Sequence, residues 1–309
     1  MNNCKIVMYH YVRPLKKSSH PEIKALELDG FIRQINYFKK NFHFLSAQEI
    51  LDSIYSKNNL PLNSIVLTFD DGFKDHFLYV YPILKKLNIP ALFFPPAKPI
   101  EENIVLDVHK IHFILANIKN KIDIVNEIFS FIWMNQKKFN LKNPKYYFDN
   151  IKIDNRYDTK EIVFIKRMLQ RELPLQLRTE ITHNLFKKFV TNNEYTFSKN
   201  LYLSLSEIKE MTDSGFYFSS HSYSHNWLSK LNQIELKYEI KKSVDFCKKM
   251  GQKNDLIMCY PYGDYNLEVI EEIQKNGFKA ALTTKVGDSL MDITNAFTLK
   301  RFDTNDFPQ

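Results

Sequence analysis

Cysteine is scarce in this chain: Cys4, Cys247 and Cys259 stand far apart with no CxxC pair, which excludes a disulfide framework. No uninterrupted apolar run approaches the roughly 20 residues that span a bilayer, so no transmembrane helix is expected. The opening residues Met1-Asn2-Asn3-Cys4-Lys5-Ile6-Val7-Met8 lack a basic stretch, a long apolar core and a small-residue cleavage site, so no export signal is expected. The expected location is cytoplasmic, at most at the inner face of the membrane. Zinc-finger spacing and a basic aromatic RNA-binding motif are both missing, which argues against nucleic acid as a partner. Glycine is rare, 7 residues in all, and none falls between Gly72 and Gly215. There is no internal repeat and no low-complexity tract.

What is present is a soluble globular composition, 44% hydrophobic and 25% charged over 309 residues, long enough for one elaborated α/β domain or two domains. The net charge of +8 is carried mostly by lysine, much of it on solvated faces, and suits an anionic substrate or an anionic membrane surface. Residues 5–12 and 64–69 read as buried strands, the second nearly continuous in apolar side chains. Phe31, Ile35 and Phe38 share one helical face. Ser46 with Glu49 three residues on is a capping box opening a helix. After Gly72, Phe73, Phe77, Tyr81 and Leu84 return at helical spacing, and 91–94 is a further strand closed by Pro95-Pro96. This alternation predicts a parallel sheet or barrel.

From about residue 104 the pattern is helical, with Ile104, Val108, Ile111, Leu115 and Ile118 as one stripe. Ile162, Ile165 and Leu169, then Leu177, Ile181 and Leu185, form others. The chain therefore divides into a barrel, residues 1–97 and 201–309, and a mainly helical insertion, residues 98–200. Alternation resumes with a helix at 204–214, a strand at 216–220, a helix at 233–250, a strand at 256–260 and a helix at 267–275. Short strands near Ala280 and Leu299 complete it.

Two motifs carry chemistry. Thr68-Phe69-Asp70-Asp71-Gly72 closes a strand, where side chains of α/β folds converge on a site. His221-Ser222-Tyr223-Ser224-His225 follows another. Adjacent carboxylates point in different directions, so one can ligate a metal while its neighbour stays free as a base. An Asp with two His at i, i+4 leaves coordination positions open for water and substrate, as metal-assisted hydrolysis requires.

With Tyr260-Pro261-Tyr262-Gly263 following in order, the chain resembles the NodB-type polysaccharide deacetylases, carbohydrate esterase family 4. The resemblance covers most of the chain outside the insertion. It implies a distorted (β/α) barrel of about seven strands, with Asp70 as catalytic base. It makes Asp71, His221 and His225 the ligands of one divalent metal, zinc first, with cobalt, nickel and manganese open. It also makes the Tyr262 backbone N–H an oxyanion donor, beside Pro261. Met8-Tyr9-His10-Tyr11 looks like the first strand of the branch in which the acid histidine comes early, assigning His10 that role. One departure stands out: many members carry an arginine upstream of the Pro-Tyr pair, and Asp255-Leu256-Ile257-Met258-Cys259 has none. Arg301, at the end of a late strand-like segment, is the expected substitute, since a guanidinium lowers the pKa of a neighbouring carboxylate.

The implied function is removal of an N-acetyl group from an amino sugar. Without an export signal, a nucleotide-linked or lipid-linked glycan precursor fits better than a wall polymer, with peripheral membrane contact open. Lys98 and Lys285 are candidate phosphate contacts. The insertion is expected as a lid or specificity cap, presenting Asp107, His109 and His112. Two other readings stay open: a non-catalytic glycan-binding relic, and a deacylase of a non-sugar amide on the same scaffold.

Overall fold

The computed structural model describes residues 3–56, 58–151 and 158–309. They cluster into two compact units, one of Met1–Pro14, Ala25–Ile104 and Ser198–Gln309, the other of Leu15–Lys24 and Val105–Phe197.

The first unit is built on strands β1 (Asn3–Tyr9), β2 (Ser64–Asp70), β3 (Leu92–Phe94), β4 (Tyr217–Phe218), β5 (Leu256–Cys259), β6 (Phe278–Leu282) and β7 (Phe302–Asp303). β7, β1, β2, β3 and β4 are parallel neighbours in that order, and β5 pairs β6 in parallel. Two single parallel bridges, Ser220 to Met258 and Leu282 to Leu299, join the edges. The ring therefore closes as a distorted parallel barrel, and every strand delivers its C-terminal end to the same mouth.

The connections are helical. Leu28–Asn41 and Ala47–Ser56 precede β2, Tyr81–Leu87 precedes β3, and Leu205–Asp213 precedes β4. Gln233–Lys249 and Leu267–Lys275 precede β5 and β6. Local signals set these boundaries. Glu49 accepts from the Ser46 backbone N–H at 2.8 Å while Ser46 accepts from the Glu49 N–H, and Ser204 with Glu207 forms the same box.

Strand alternation sorts the core into two layers. Val7, Tyr9, Leu67, Phe69, Phe93 and Phe218 pack outward against Phe31, Ile35, Leu84, Ile240 and Ile273 of the helices. Ile6, Val66, Leu92, Phe94, Ile257, Cys259, Ala280, Leu282 and Leu299 fill the other layer, inside the ring. Tyr9, Phe69, Phe93 and Phe218 are cross-strand partners, and their rings stack in a ladder with centroids 4.9, 4.9 and 5.1 Å apart. Such pairs fix strand register.

The second unit contains the helices Asp107–Asn117, Lys121–Asn135, Pro144–Asp149, Lys160–Arg167 and Leu175–Phe189. Ile111, Phe113, Ile128, Phe164, Leu177 and Phe186 are fully buried in it. One expected stripe is displaced: Asp107–Asn117 buries His109, Lys110, Ile111, Phe113 and Ile114, while Val108 and Leu115 are half-buried. Lys110 tolerates that position because its Nζ meets Glu194 at 2.9 Å. Among the described residues no helix is long and apolar enough to cross a membrane.

Candidate metal centre

The strand phase that fills the ring also builds the site. His10 follows Ile6 and Met8, Asp70 follows Val66 and Thr68, and Cys259 follows Ile257, each two residues on. Arg301 likewise follows Leu299. All reach the mouth because the strands run parallel.

Asp70 is buried, and so is Arg301 at 1% exposure. Their contact is two-pronged: Nη1 donates to Asp70 Oδ1 at 2.8 Å, and Nη2 lies 2.8 Å from Oδ2. The guanidinium is held by Nε donating to the Thr283 carbonyl at 2.8 Å and Nη1 to Thr68 Oγ1 at 3.2 Å. Burial alone would raise the Asp70 pKa. The charge of Arg301, then those of His221 and His10, outweighs it and holds the carboxyl below its ordinary value. His10 Nε2 stands 3.9 Å from Asp70 Oδ2, with the His10 side chain 42% exposed. The His10 carbonyl accepts from His76 Nε2 at 2.8 Å.

Asp71 turns away from its neighbour because its φ is 69°, in the left-handed region. Gly72 follows at φ 60°, where an added Cβ would lie 2.5 Å from Pro95. Asp71 Oδ1 is 3.6 Å from His221 Nε2 and 3.4 Å from His225 Nε2, and all three residues are buried. His221 donates from Nδ1 to the Cys259 carbonyl at 2.7 Å, which leaves Nε2 as a bare acceptor aimed at a carboxylate. Burial outweighs the opposing pull of Asp70 and Asp71 and lowers the His221 pKa below its ordinary value, which favours the neutral imidazole. Acceptor atoms converging in a buried space repel unless a cation lies among them. Their separations match the roughly 3.4 Å between ligands set about 2.1 Å from one tetrahedral ion. The residues therefore fit a divalent metal.

Asp70, His221 and Cys259 form a second group with metal-ligating atoms in reach. Two features disfavour it. Arg301 already engages both Asp70 oxygens, and burial pushes the Cys259 thiol well up, against the thiolate that would ligate.

The loops around the centre are strained and braced. Ser222, His225 and Tyr262 have φ of 61°, 58° and 58°, conformations that cost about 1 kcal/mol or more each and persist where surroundings enforce them. The brace is Glu239, a buried carboxylate on the helix Gln233–Lys249. It accepts from the Tyr223 and Ser224 N–H groups at 3.2 and 2.8 Å and from Asn226 at 3.3 Å. Asp264 accepts from the Ser229 N–H and hydroxyl, both at 2.8 Å. Gly263, at φ 68°, leaves no room for a Cβ, which would come within 2.2 Å of Thr284 Oγ1. Tyr262 packs edge-on to His225 at 4.7 Å and flat on Trp227 at 4.3 Å, with Pro261 buried beside it.

The structure thus brings together His10, Asp70, Asp71, His221, His225, Pro261, Tyr262 and Arg301 in one unit. Lys98 lies in the same unit, its N–H donating to the Tyr223 carbonyl at 2.9 Å. Lys285 donates to the Tyr265 hydroxyl at 2.9 Å. Asp107 belongs to the second unit, where it accepts from Thr179 at 3.0 Å. Glu239, Cys259 and Trp227 were not singled out from the sequence. Glu239 carried a faint signal: it shares the helix face of Leu236, Ile240 and Ser243, where an unpaired carboxylate would not be left.

A family profile described as polysaccharide deacetylase matches residues 57–129 and 177–281. The chain is 29% identical over 91 residues to the Bacillus subtilis (strain 168) protein YxkH, grouped with the polysaccharide deacetylases; the match spans 29% of this chain and 33% of that relative. Among solved structures, the Streptococcus pyogenes deacetylase PplD, in complex with acetate, superposes with a TM-score of 0.61 at 18% identity, covering 97% of this chain and 92% of PplD. IcaB from Ammonifex degensii gives a TM-score of 0.55 at 17% identity over 99% and 94% of the two chains. These likenesses show that the fold is the NodB type.

Proposed function

Because the chain belongs to the polysaccharide deacetylase family, we propose that it hydrolyses the N-acetyl group of an amino sugar, with Asp70 as base and Asp71, His221 and His225 holding one metal ion. One observation carries this reading. Two consecutive carboxylates at one strand end have opposite partners, a guanidinium for Asp70 and two imidazoles for Asp71. A structural turn has no use for that division, whereas hydrolysis needs a ligand and a base side by side.

When bound, the ion would polarise the amide carbonyl and lower the pKa of a water. A hard carboxylate with two imidazoles takes zinc first and admits cobalt, nickel or manganese. Asp70, kept ionised by Arg301, takes a proton from the water whose oxygen attacks the acetyl carbon. The Tyr262 N–H donates to the oxygen that gains charge. His10, half exposed at the mouth, gives a proton to the amine nitrogen as the C–N bond breaks. The products are acetate and a free amino sugar. A nucleotide- or lipid-linked precursor is the substrate class favoured by the basic charge, with Lys98 and Lys285 near the mouth as contacts for a diphosphate.

The test couples metal content to acetate release. Wild type is expected to carry about one metal per chain, and the His221→Ala, His225→Ala double variant none. Asp70→Asn should keep the metal and lose about 10²–10⁴-fold in turnover. Wild-type turnover in Asp70→Asn would remove Asp70 as the base, and metal without acetate release from any acetylated sugar would favour another amide.

A further inference from the structure

The second unit carries a surface that its own fold leaves unexplained. Between Glu127 and Asp149 the chain has no acidic residue but has Lys137, Lys138, Lys142 and Lys145. The helix Lys121–Asn135 turns Ile124, Val125, Ile128 and Ile132 to the core. Successive residues are about 100° apart around a helix, so Trp133 and Met134 fall outside that face. They are 56% and 71% exposed, and Tyr146, on the next helix, is 46% exposed. Lys142 lies over the Tyr146 ring, its Nζ 4.0 Å from the centroid, and donates to the Tyr146 hydroxyl at 2.8 Å. Lys138 sits 4.9 Å over Phe139. Among the described residues none of the four lysines has an acidic partner.

We propose that this segment docks the protein on an anionic lipid surface, with Trp133, Met134 and Tyr146 entering the interfacial layer and the lysines meeting headgroup phosphates. Tryptophan and tyrosine favour that layer because one end of each is apolar and the other polar. Lysine stems lie along apolar surface while their charges stay in the headgroups. A second copy of this chain is a poor occupant, because pairing two such patches brings like charges together with no acid to offset them. The inference uses no step of the proposed reaction, so the deacetylase reading and the docking surface stand or fall separately.

Vesicle partitioning tests it on the full chain. Phosphatidylcholine vesicles containing about one third phosphatidylglycerol should sediment the protein, and pure phosphatidylcholine vesicles should not. The difference should fade as salt rises. A surface lysine contributes about 1 kcal/mol near such a membrane, about fivefold in partitioning, so Lys137→Ala with Lys138→Ala should weaken binding about 25-fold. Trp133→Ser with Met134→Ser should weaken it independently; both pairs are exposed, and melting curves will show whether folding is intact. Trp133 and Trp227 are the only tryptophans, so a Trp227→Phe variant makes Trp133 the sole reporter, and its emission should shift to the blue on anionic vesicles. Equal partitioning on both vesicle types, unchanged binding by both double variants, or no binding with self-association in light scattering would each overturn the proposal.

Discussion

At the scale of single residues, the pairing of Asp70 with Arg301 is the most consequential contact. The guanidinium holds the Asp70 pKa down against burial, so Arg301→Gln should raise it. The acid limb of the pH profile for kcat/KM then moves to higher pH, which a rate series from pH 5 to 8 reads directly, at about those settings. Leaving the carboxylate buried without its partner should also cost about 3–5 kcal/mol of stability. His76 gives a second pH effect, on stability. It is fully buried, and burial, against the Nε2 bond to the His10 carbonyl, lowers its pKa from 6.5 to about 4. The folded state therefore keeps His76 neutral while the unfolded chain takes up a proton below about pH 6.5. Its contribution is complete above that value and lost as pH falls toward 4, up to about 3 kcal/mol in all. Urea midpoints at neutral and acid pH should diverge in wild type and converge in His76→Gln.

At the scale of elements, the loop that carries the proposed ligand His225 depends on a helix that contributes none of the proposed ligands. Glu239 gathers the N–H groups of Tyr223 and Ser224, fixing the backbone that presents His225. Glu239→Gln should therefore weaken metal binding about 10–100-fold, as loss of ligand-orienting groups does elsewhere, while leaving Asp71 and both histidines in the chain. Isothermal titration of the stripped protein measures this, and unchanged affinity would show that the loop holds itself. This dependence also explains what the sequence could and could not convey. The candidate site segments 68–72, 221–225 and 260–263 stand out in the sequence because their residues are consecutive. Arg301 was reachable only through its place at a late strand end, and Glu239 looked like any polar residue on an amphipathic helix. The strand expected at 216–220 narrows to Tyr217–Phe218, because beyond it only Ser220 pairs, through a single bridge to Met258. The helix Asp107–Asn117 misled for the opposite reason: His109 and Lys110 are buried, and a hydrophobic pattern cannot announce a polar residue satisfied by a distant partner such as Glu194.

At the scale of the molecule, every residue assigned to metal and proton transfer comes from the first unit. Loading the ion should therefore slow amide exchange in Met1–Pro14, Ala25–Ile104 and Ser198–Gln309 and leave Val105–Phe197 unchanged, as hydrogen-exchange mass spectrometry with and without a chelator will read. Protection spreading into Val105–Phe197 would show that the two units respond together. The closing of the ring has a temporal consequence. Asp70 and Asp71 leave the ribosome long before Arg301, and β1 pairs β7 across almost the whole sequence. Contacts of such long range form late in folding. The proposed metal ligands Asp71, His221 and His225 are all in place before Arg301 is made, while Asp70 still lacks its guanidinium. On the proposed roles, a partly folded chain is expected to bind metal before it turns over substrate, and activity would mark completion of the barrel.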